Sequence, residues 1–126
     1  MAGNILLDSA GHVVHIDFGY LLTSAPGGVQ FETAPFKFTT EFADVLGGQA
    51  SELFQLYRDA CVHAFWEARK RRDQIIVLVE MTMCANATLP CFVRGPAAVR
   101  AELDARFLPG ASKRKCALFM NALIDA

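Results

Sequence analysis

Two short apolar runs, Ile5–Leu7 and Val13–Ile16, flank Asp8-Ser9-Ala10-Gly11 near the start of the chain, and this spacing constrains the fold more than any other feature. Asp at the head of the tetrapeptide and Gly at its end are turn chemistry, so the two runs are expected to pair as an antiparallel β-hairpin. With the turn centred between Ser9 and Ala10, Asn4 and Asp17 emerge at the same open end, on the order of 5–8 Å apart. An amide oxygen and a carboxylate so placed suit Mg²⁺, a hard cation that takes oxygen ligands and completes its shell with water and phosphate. The plainer alternative has Asn4 capping a strand and Asp17 opening a turn. His15 lies two residues before Asp17, on the same side of the strand by alternation. It either orients Asp17 from behind or simply packs.

Residues 20–38 fit neither a period of 2 nor one of 3.6, and they hold Pro26, Gly27, Gly28 and Pro35 among Ser, Thr and Phe. They read as a loop. Beyond it the pattern turns helical. Thr39 or Thr40 is placed to cap a short helix ended by Gly47-Gly48, and Ser51 to open a longer one. In the longer helix Leu53, Phe54, Tyr57, Ala60, Cys61, Ala64, Phe65 and Ala68 recur on one face, while Glu52, Gln55, Arg58, Asp59 and Glu67 point away. Its basic end, Arg69-Lys70-Arg71-Arg72, suits a helix C-terminus and solvation, or contacts with phosphate. Asp73 is placed to cap a further helix from Gln74 to about Ala85; its run Ile75–Val79 would suit a buried strand equally well by local propensity. Leu89-Pro90-Cys91-Phe92 is expected to be extended, Gly95-Pro96 to start a helix reaching Phe107, and Ser112 to cap a last helix.

Hydrophobic residues make up 53% of the 126 and charged ones 20%, a lean toward apolar that suits a piece of a larger fold. The formal net charge of −1 gives no overall attraction to nucleic acid or to anionic lipid. The four cysteines, Cys61, Cys84, Cys91 and Cys116, show no metal-binding spacing and are expected to be reduced, buried thiols. Met1 leads straight into the hairpin, and no apolar run approaches the length of a spanning helix. A cytoplasmic protein, or one peripheral to a membrane, is the expectation.

The text around the hairpin carries a more specific signal. Gly3-Asn4-Ile5-Leu6, His15-Ile16-Asp17-Phe18-Gly19, Ser24-Ala25-Pro26-Gly27, Phe31-Glu32-Thr33 and Pro35-Phe36-Lys37 resemble the phosphatidylinositol 3-/4-kinase family, in particular its type III beta 4-kinases. Later pieces agree: Thr39-Thr40-Glu41-Phe42, Asp44-Val45-Leu46-Gly47-Gly48, Ala68-Arg69-Lys70 and Leu89-Pro90-Cys91-Phe92. The resemblance implies an α+β, mostly α architecture. This would be a fragment of a protein-kinase-like C-terminal lobe, with a metal-binding hairpin (1–19), an activation loop (20–38) and a helical bundle (39–126). It further implies ATP and Mg²⁺ as cofactors, with Asn4 and Asp17 holding the metal and Phe18, Gly19 and Lys37 belonging to the activation loop that receives substrate. Intracellular membranes of the Golgi type are the implied location.

The family's catalytic loop reads Asp-Arg-His-x-x-Asn. Asn4 fills its last place, Met1 stands at the His position, and the Asp and Arg would precede residue 1. The glycine-rich loop, the ATP-pairing Lys and the rest of the N-terminal lobe are likewise absent from these residues. The isolated chain is therefore expected to be inactive, with the missing N-lobe as its partner. Residues 20–38 hold one cation, Lys37. So sparse a loop suits plain phosphatidylinositol better than ring-phosphorylated lipids, which need several cations. The competing expectation is a non-catalytic kinase remnant that binds a partner or a membrane.

Overall fold

The computed structural model describes residues 4–16, 22 and 38–125. Strands β1 (Ile5–Leu7) and β2 (Val13–His15) form an antiparallel pair in the register Ile5–His15, Leu6–Val14 and Leu7–Val13. The pivot is Ala10, half a residue later than the tetrapeptide suggested, because Asp8 organises a longer turn. Its Oδ1 accepts from the backbone N–H groups of Ala10 and His12, both at 2.8 Å, and its Oδ2 lies 2.8 Å from His12 Nδ1. Gly11, at φ 86°, supplies the left-handed residue that closes it. The apolar side chains of both arms remain exposed, from 40% at Ile5 to 72% at Leu7. Pairing and turn chemistry hold this hairpin, since burial contributes little.

Helices α1 (Thr40–Val45), α2 (Glu52–Lys70), α3 (Arg72–Ala85), α4 (Pro96–Arg106) and α5 (Lys113–Ile124) follow. Mostly helical with one small hairpin, the fold is the α+β, predominantly α arrangement expected from the sequence. Ser51 caps α2 by accepting from Phe54 N–H at 3.0 Å, and its hydroxyl donates to the Leu46 carbonyl at 2.5 Å, which ties the end of α1 to the start of α2. Ser112 caps α5 by accepting from Lys115 N–H at 3.3 Å. The run Ile75–Val79 is helical. Tertiary packing overrides β-branched propensity there, with Ile76 almost wholly buried.

Three local expectations are corrected. Helix α3 begins at Arg72 after a one-residue break at Arg71, so Asp73 sits inside the first turn, where its charge favours the dipole, and does not cap. Pro90–Phe92 is a turn of 3₁₀-helix and not an extended segment: Phe92 N–H reaches the Leu89 carbonyl at 2.8 Å, and the turn drives Cys91 and Phe92 into the core. Arg58, read as outward-facing, turns toward α5, where its guanidinium pairs with Asp125 and lies 5.3 Å from the Phe54 ring centroid. On the same helix Ala60 and Ala64 are exposed and Leu53 is largely so, leaving Phe54 as the buried residue of α2.

The helices pack as two pairs. Helix α2 lies on α5, which buries Cys116, Met120 and Ile124, with Phe65 and Phe119 ring centroids 5.8 Å apart between them. Helix α3 lies on α4, and Met83, Cys91, Phe92 and Val99 form a buried cluster against which Leu22, Val79 and Leu89 pack. Arg69 joins the pairs. Its Nε donates to the Phe107 carbonyl at 2.8 Å and its Nη2 to that of Leu108 at 3.1 Å, while the guanidinium stacks on Trp66. It thereby satisfies carbonyls at the end of α4, where Leu108 is held at φ 51°, a conformation few non-glycine residues adopt. All four cysteines are free; Cys91 and Cys116 are buried as expected, whereas Cys84 is exposed. Among the described residues no helix is long and apolar enough to cross a membrane.

Candidate functional site: the hairpin end and the two ends of the loop

The register fixes where Asn4 stands. Ile16 N–H donates to the Asn4 carbonyl at 3.0 Å, so the ladder extends one pair beyond the strands and Asn4 faces Ile16 at the open end of the hairpin. Asp17 is the next residue in sequence, but Asp17, Phe18, Gly19 and Lys37 all lie outside the described residues. His15 is exposed and opposite Ile5, which by strand alternation puts it on the other face of the ribbon from Asn4. Among the described residues no cluster of three or more His, Cys, Asp or Glu side chains is placed to hold a metal ion.

At the far end of the hairpin, Asp8 is held below its ordinary carboxylate value first by the His12 backbone N–H and then by the His12 side chain. The turn is thus an anion-stabilised clasp at the opposite end from Asn4.

The basic run 69–72 turns inward. Besides the Arg69 clasp, Lys70 pairs with Glu67 at 2.5 Å, Arg71 reaches Gln74 at 3.4 Å, and Arg72 lies 3.2 Å from both Asp73 and Asp104. Each cation has a protein partner, so the helix-end reading of this run fits better than a surface for phosphate.

Leu22 and Phe38 are each docked on helices, a feature sequence reasoning missed. Leu22, at φ 58°, packs against the Met83–Cys91–Phe92–Val99 cluster, and its carbonyl accepts from Arg106 Nη2 at 2.9 Å. Phe38 stacks on Tyr57 with centroids 4.8 Å apart and meets Phe54 edge-on at 5.8 Å. Phe38 is therefore half-buried. Burial, and then a hydrogen bond with Cys61, pushes the Tyr57 hydroxyl up to about 12. The only advance signal was the aromatic spacing of Phe38, Phe42, Phe54 and Tyr57, and nothing local marked Arg106.

Residues 1–94 match the family model described as phosphatidylinositol 3- and 4-kinase. The chain belongs to that family. The match takes in the hairpin, residues 20–38, α1 to α3 and the 3₁₀ turn. Similarity to individual kinases extends further: the chain is 45% identical to a phosphatidylinositol 4-kinase of Dictyostelium discoideum over 123 residues, 98% of this chain and 10% of that protein. Phosphatidylinositol 4-kinase pik1 of Schizosaccharomyces pombe is also 45% identical, and phosphatidylinositol 4-kinase beta of Sorex araneus is 40% identical, each across 98% of this chain. These 126 residues span only 14% and 15% of those two relatives. For the intact kinases, family membership implies ATP and a divalent metal ion.

Proposed function

We propose that the chain is the C-terminal part of a lipid kinase catalytic domain, acting within a longer kinase to transfer the γ-phosphate of ATP to phosphatidylinositol and give the 4-phosphate. In this reading 1–19 is the metal-binding hairpin, 20–38 the activation loop and 39–126 the helical part of the C-lobe. The observation that carries it is the family match through the hairpin, together with a register that holds Asn4 beside Ile16, one residue before Asp17.

The donor chemistry fits Mg²⁺. Asn4 offers an amide oxygen at the hairpin end, and its backbone position is fixed by the bond from Ile16. Asn4 and Asp17 are the residues that would hold the metal, which would supply positive charge to offset the negative charge that builds on the phosphates during transfer. The chain's own contribution is positional: the paired ribbon fixes the backbone of Asn4 against Ile16, and Asp17 follows Ile16 directly in sequence. His15 is retained as a residue acting through Asp17, given their two-residue spacing, and not through Asn4. Lys37 is the cation that would meet the single phosphate of phosphatidylinositol, and Phe18 and Gly19, which lead into that loop, are assigned with it to receiving substrate. The catalytic-loop Asp and Arg, the glycine-rich loop and the ATP-pairing Lys would come from outside these 126 residues. Alone, the chain should show no turnover. Golgi-type membranes are the proposed place of action.

The test is a complete kinase carrying this segment, assayed on phosphatidylinositol and on phosphatidylinositol 4-phosphate at matched surface concentration. The reading expects the 4-phosphate as product from the plain lipid, with Lys37→Ala slowing lipid turnover while lipid-independent ATP hydrolysis is spared. Thr33→Lys should raise acceptance of the ring-phosphorylated lipid, and the gain should shrink at higher salt. Equal loss of both ATP-consuming reactions on Lys37→Ala, or no product from the plain lipid, would contradict it.

A further inference from the structure

Leu22 is held more firmly than a loop residue needs to be. Its side chain packs against the Met83–Cys91–Phe92–Val99 cluster and lines a small recess together with Cys91, Val99, Glu102, Leu103 and Arg106, its carbonyl is taken by the Arg106 guanidinium at 2.9 Å, and its backbone sits in the left-handed region at φ 58°. A leucine in that conformation is costly on its own, so the surrounding contacts must over-determine it. Strain of this kind, paired with a charge-assisted bond from a helix 84 residues further along the chain, marks a position whose placement matters. Leu22 stands five positions after Asp17, so fixing one confines the other to within roughly 17 Å.

We propose that Arg106 is a positioning residue for phosphoryl transfer to the lipid, clamping Leu22 onto the α3–α4 pair so that the substrate-receiving loop leaves the metal site from a fixed point. The role rests on the kinase reading above. In this role Arg106 acts through Leu22, whose carbonyl it holds. The neighbouring cations on this side of the molecule are engaged elsewhere, Arg94 with Glu102 and Arg100 with Glu80, which leaves Arg106 as the side chain that reaches the Leu22 carbonyl.

The test uses a complete kinase carrying this segment, with Arg106→Gln, Arg106→Ala and Arg106→Lys. Hydrogen exchange of the peptide containing Leu22 reports the clamp without reference to activity. Loss of one charge-assisted bond at a partly exposed site should speed that exchange by about three- to tenfold in Arg106→Gln and Arg106→Ala. The kcat for phosphatidylinositol should fall by a comparable factor, with KM for ATP and Tm unchanged. Arg106→Lys, which can still donate to the carbonyl, should recover most of both. If Arg106→Ala lowers Tm, Arg106→Gln keeps the aliphatic stem over the recess and decides the matter. Unchanged exchange at Leu22, or faster exchange with unaltered kcat, would overturn the proposal. A parent kinase that phosphorylates no phosphatidylinositol would overturn the catalytic role along with the kinase reading, whereas exchange faster only in the variants would show that the clamp itself exists.

Discussion

Phe54 and Ile76 in the helices are almost wholly removed from water, whereas Leu7 and Val13 in the hairpin are 72% and 57% exposed, although both regions are built from the same kinds of apolar side chain. The helical pairs are held by burial and then locked by cations that reach across: Arg58 to Asp125, Arg69 to the end of α4, Arg72 to Asp104. The hairpin has only its ladder and the Asp8–His12 clasp. A lone two-stranded ribbon is marginally stable in water, so its register depends on turn chemistry more than on a core. The difference teaches how labour is divided. Asn4, one of the two proposed metal donors, sits on the element with the least burial, and the helices provide the fixed body on which Leu22 and Phe38 are docked.

Changes in the helices should break that comparison first, each measured in a complete kinase carrying this segment. Phe54→Ala removes a fully buried ring that contacts Phe38, Tyr57 and Arg58, and should destabilise the fold by about 3–5 kcal/mol, read as a large fall in Tm or as insolubility. Arg69→Ala removes two bonds to carbonyls and the stack on Trp66; a loss of about 1.5–3 kcal/mol is expected in denaturant unfolding. Arg69→Lys should recover little of it, because a single ammonium cannot reproduce the guanidinium fork.

Smaller effects should separate the hairpin from the helices by pH. Arg58 holds Asp125 below its ordinary value, chiefly by hydrogen bonding, and Asp8 is lowered chiefly by the His12 backbone N–H. A folded value below the unfolded one, near 3.8, gives stability that is fully present above that value and disappears as pH falls through the folded one. Below about pH 4, hydrogen exchange should rise at His12 and Ala10 in the turn and at the end of α5, with little change between pH 5 and 7. Asp8→Asn should abolish the turn's share of that acid sensitivity while leaving the helices unaffected. Exchange that rises uniformly along the chain would mean that the two regions unfold as one.

Much of this division was legible in the residues. The hairpin announced itself through Asp8 and Gly11, and helix starts at Ser51, Pro96 and Ser112 through capping chemistry, because these signals act over a few residues. What could not be read was non-local. Arg58 looked solvent-facing because its partner, Asp125, lies 67 residues away, and the 69–72 run stayed open between a solvated helix end and phosphate contact because Phe107, Leu108 and Asp104 are remote in sequence. The pivot of the turn was misplaced by half a residue since Asp8 captures two backbone N–H groups, one of them on His12 beyond the tetrapeptide. For the candidate site, Asn4 followed from hairpin arithmetic, while the docking of Leu22 by Arg106 left no trace in any local pattern.

The central claim is that the hairpin carries the chemistry and the helices carry the stability. It is tested most directly by measuring kcat and Tm together for Asp17→Asn in a complete kinase carrying this segment. A neutral amide in place of the carboxylate should cost about a hundredfold or more in kcat for phosphatidylinositol phosphorylation, with Tm held within about 2 °C of the parent. A kcat within a few-fold of the parent, or a loss of activity that merely follows a falling Tm, would contradict the account.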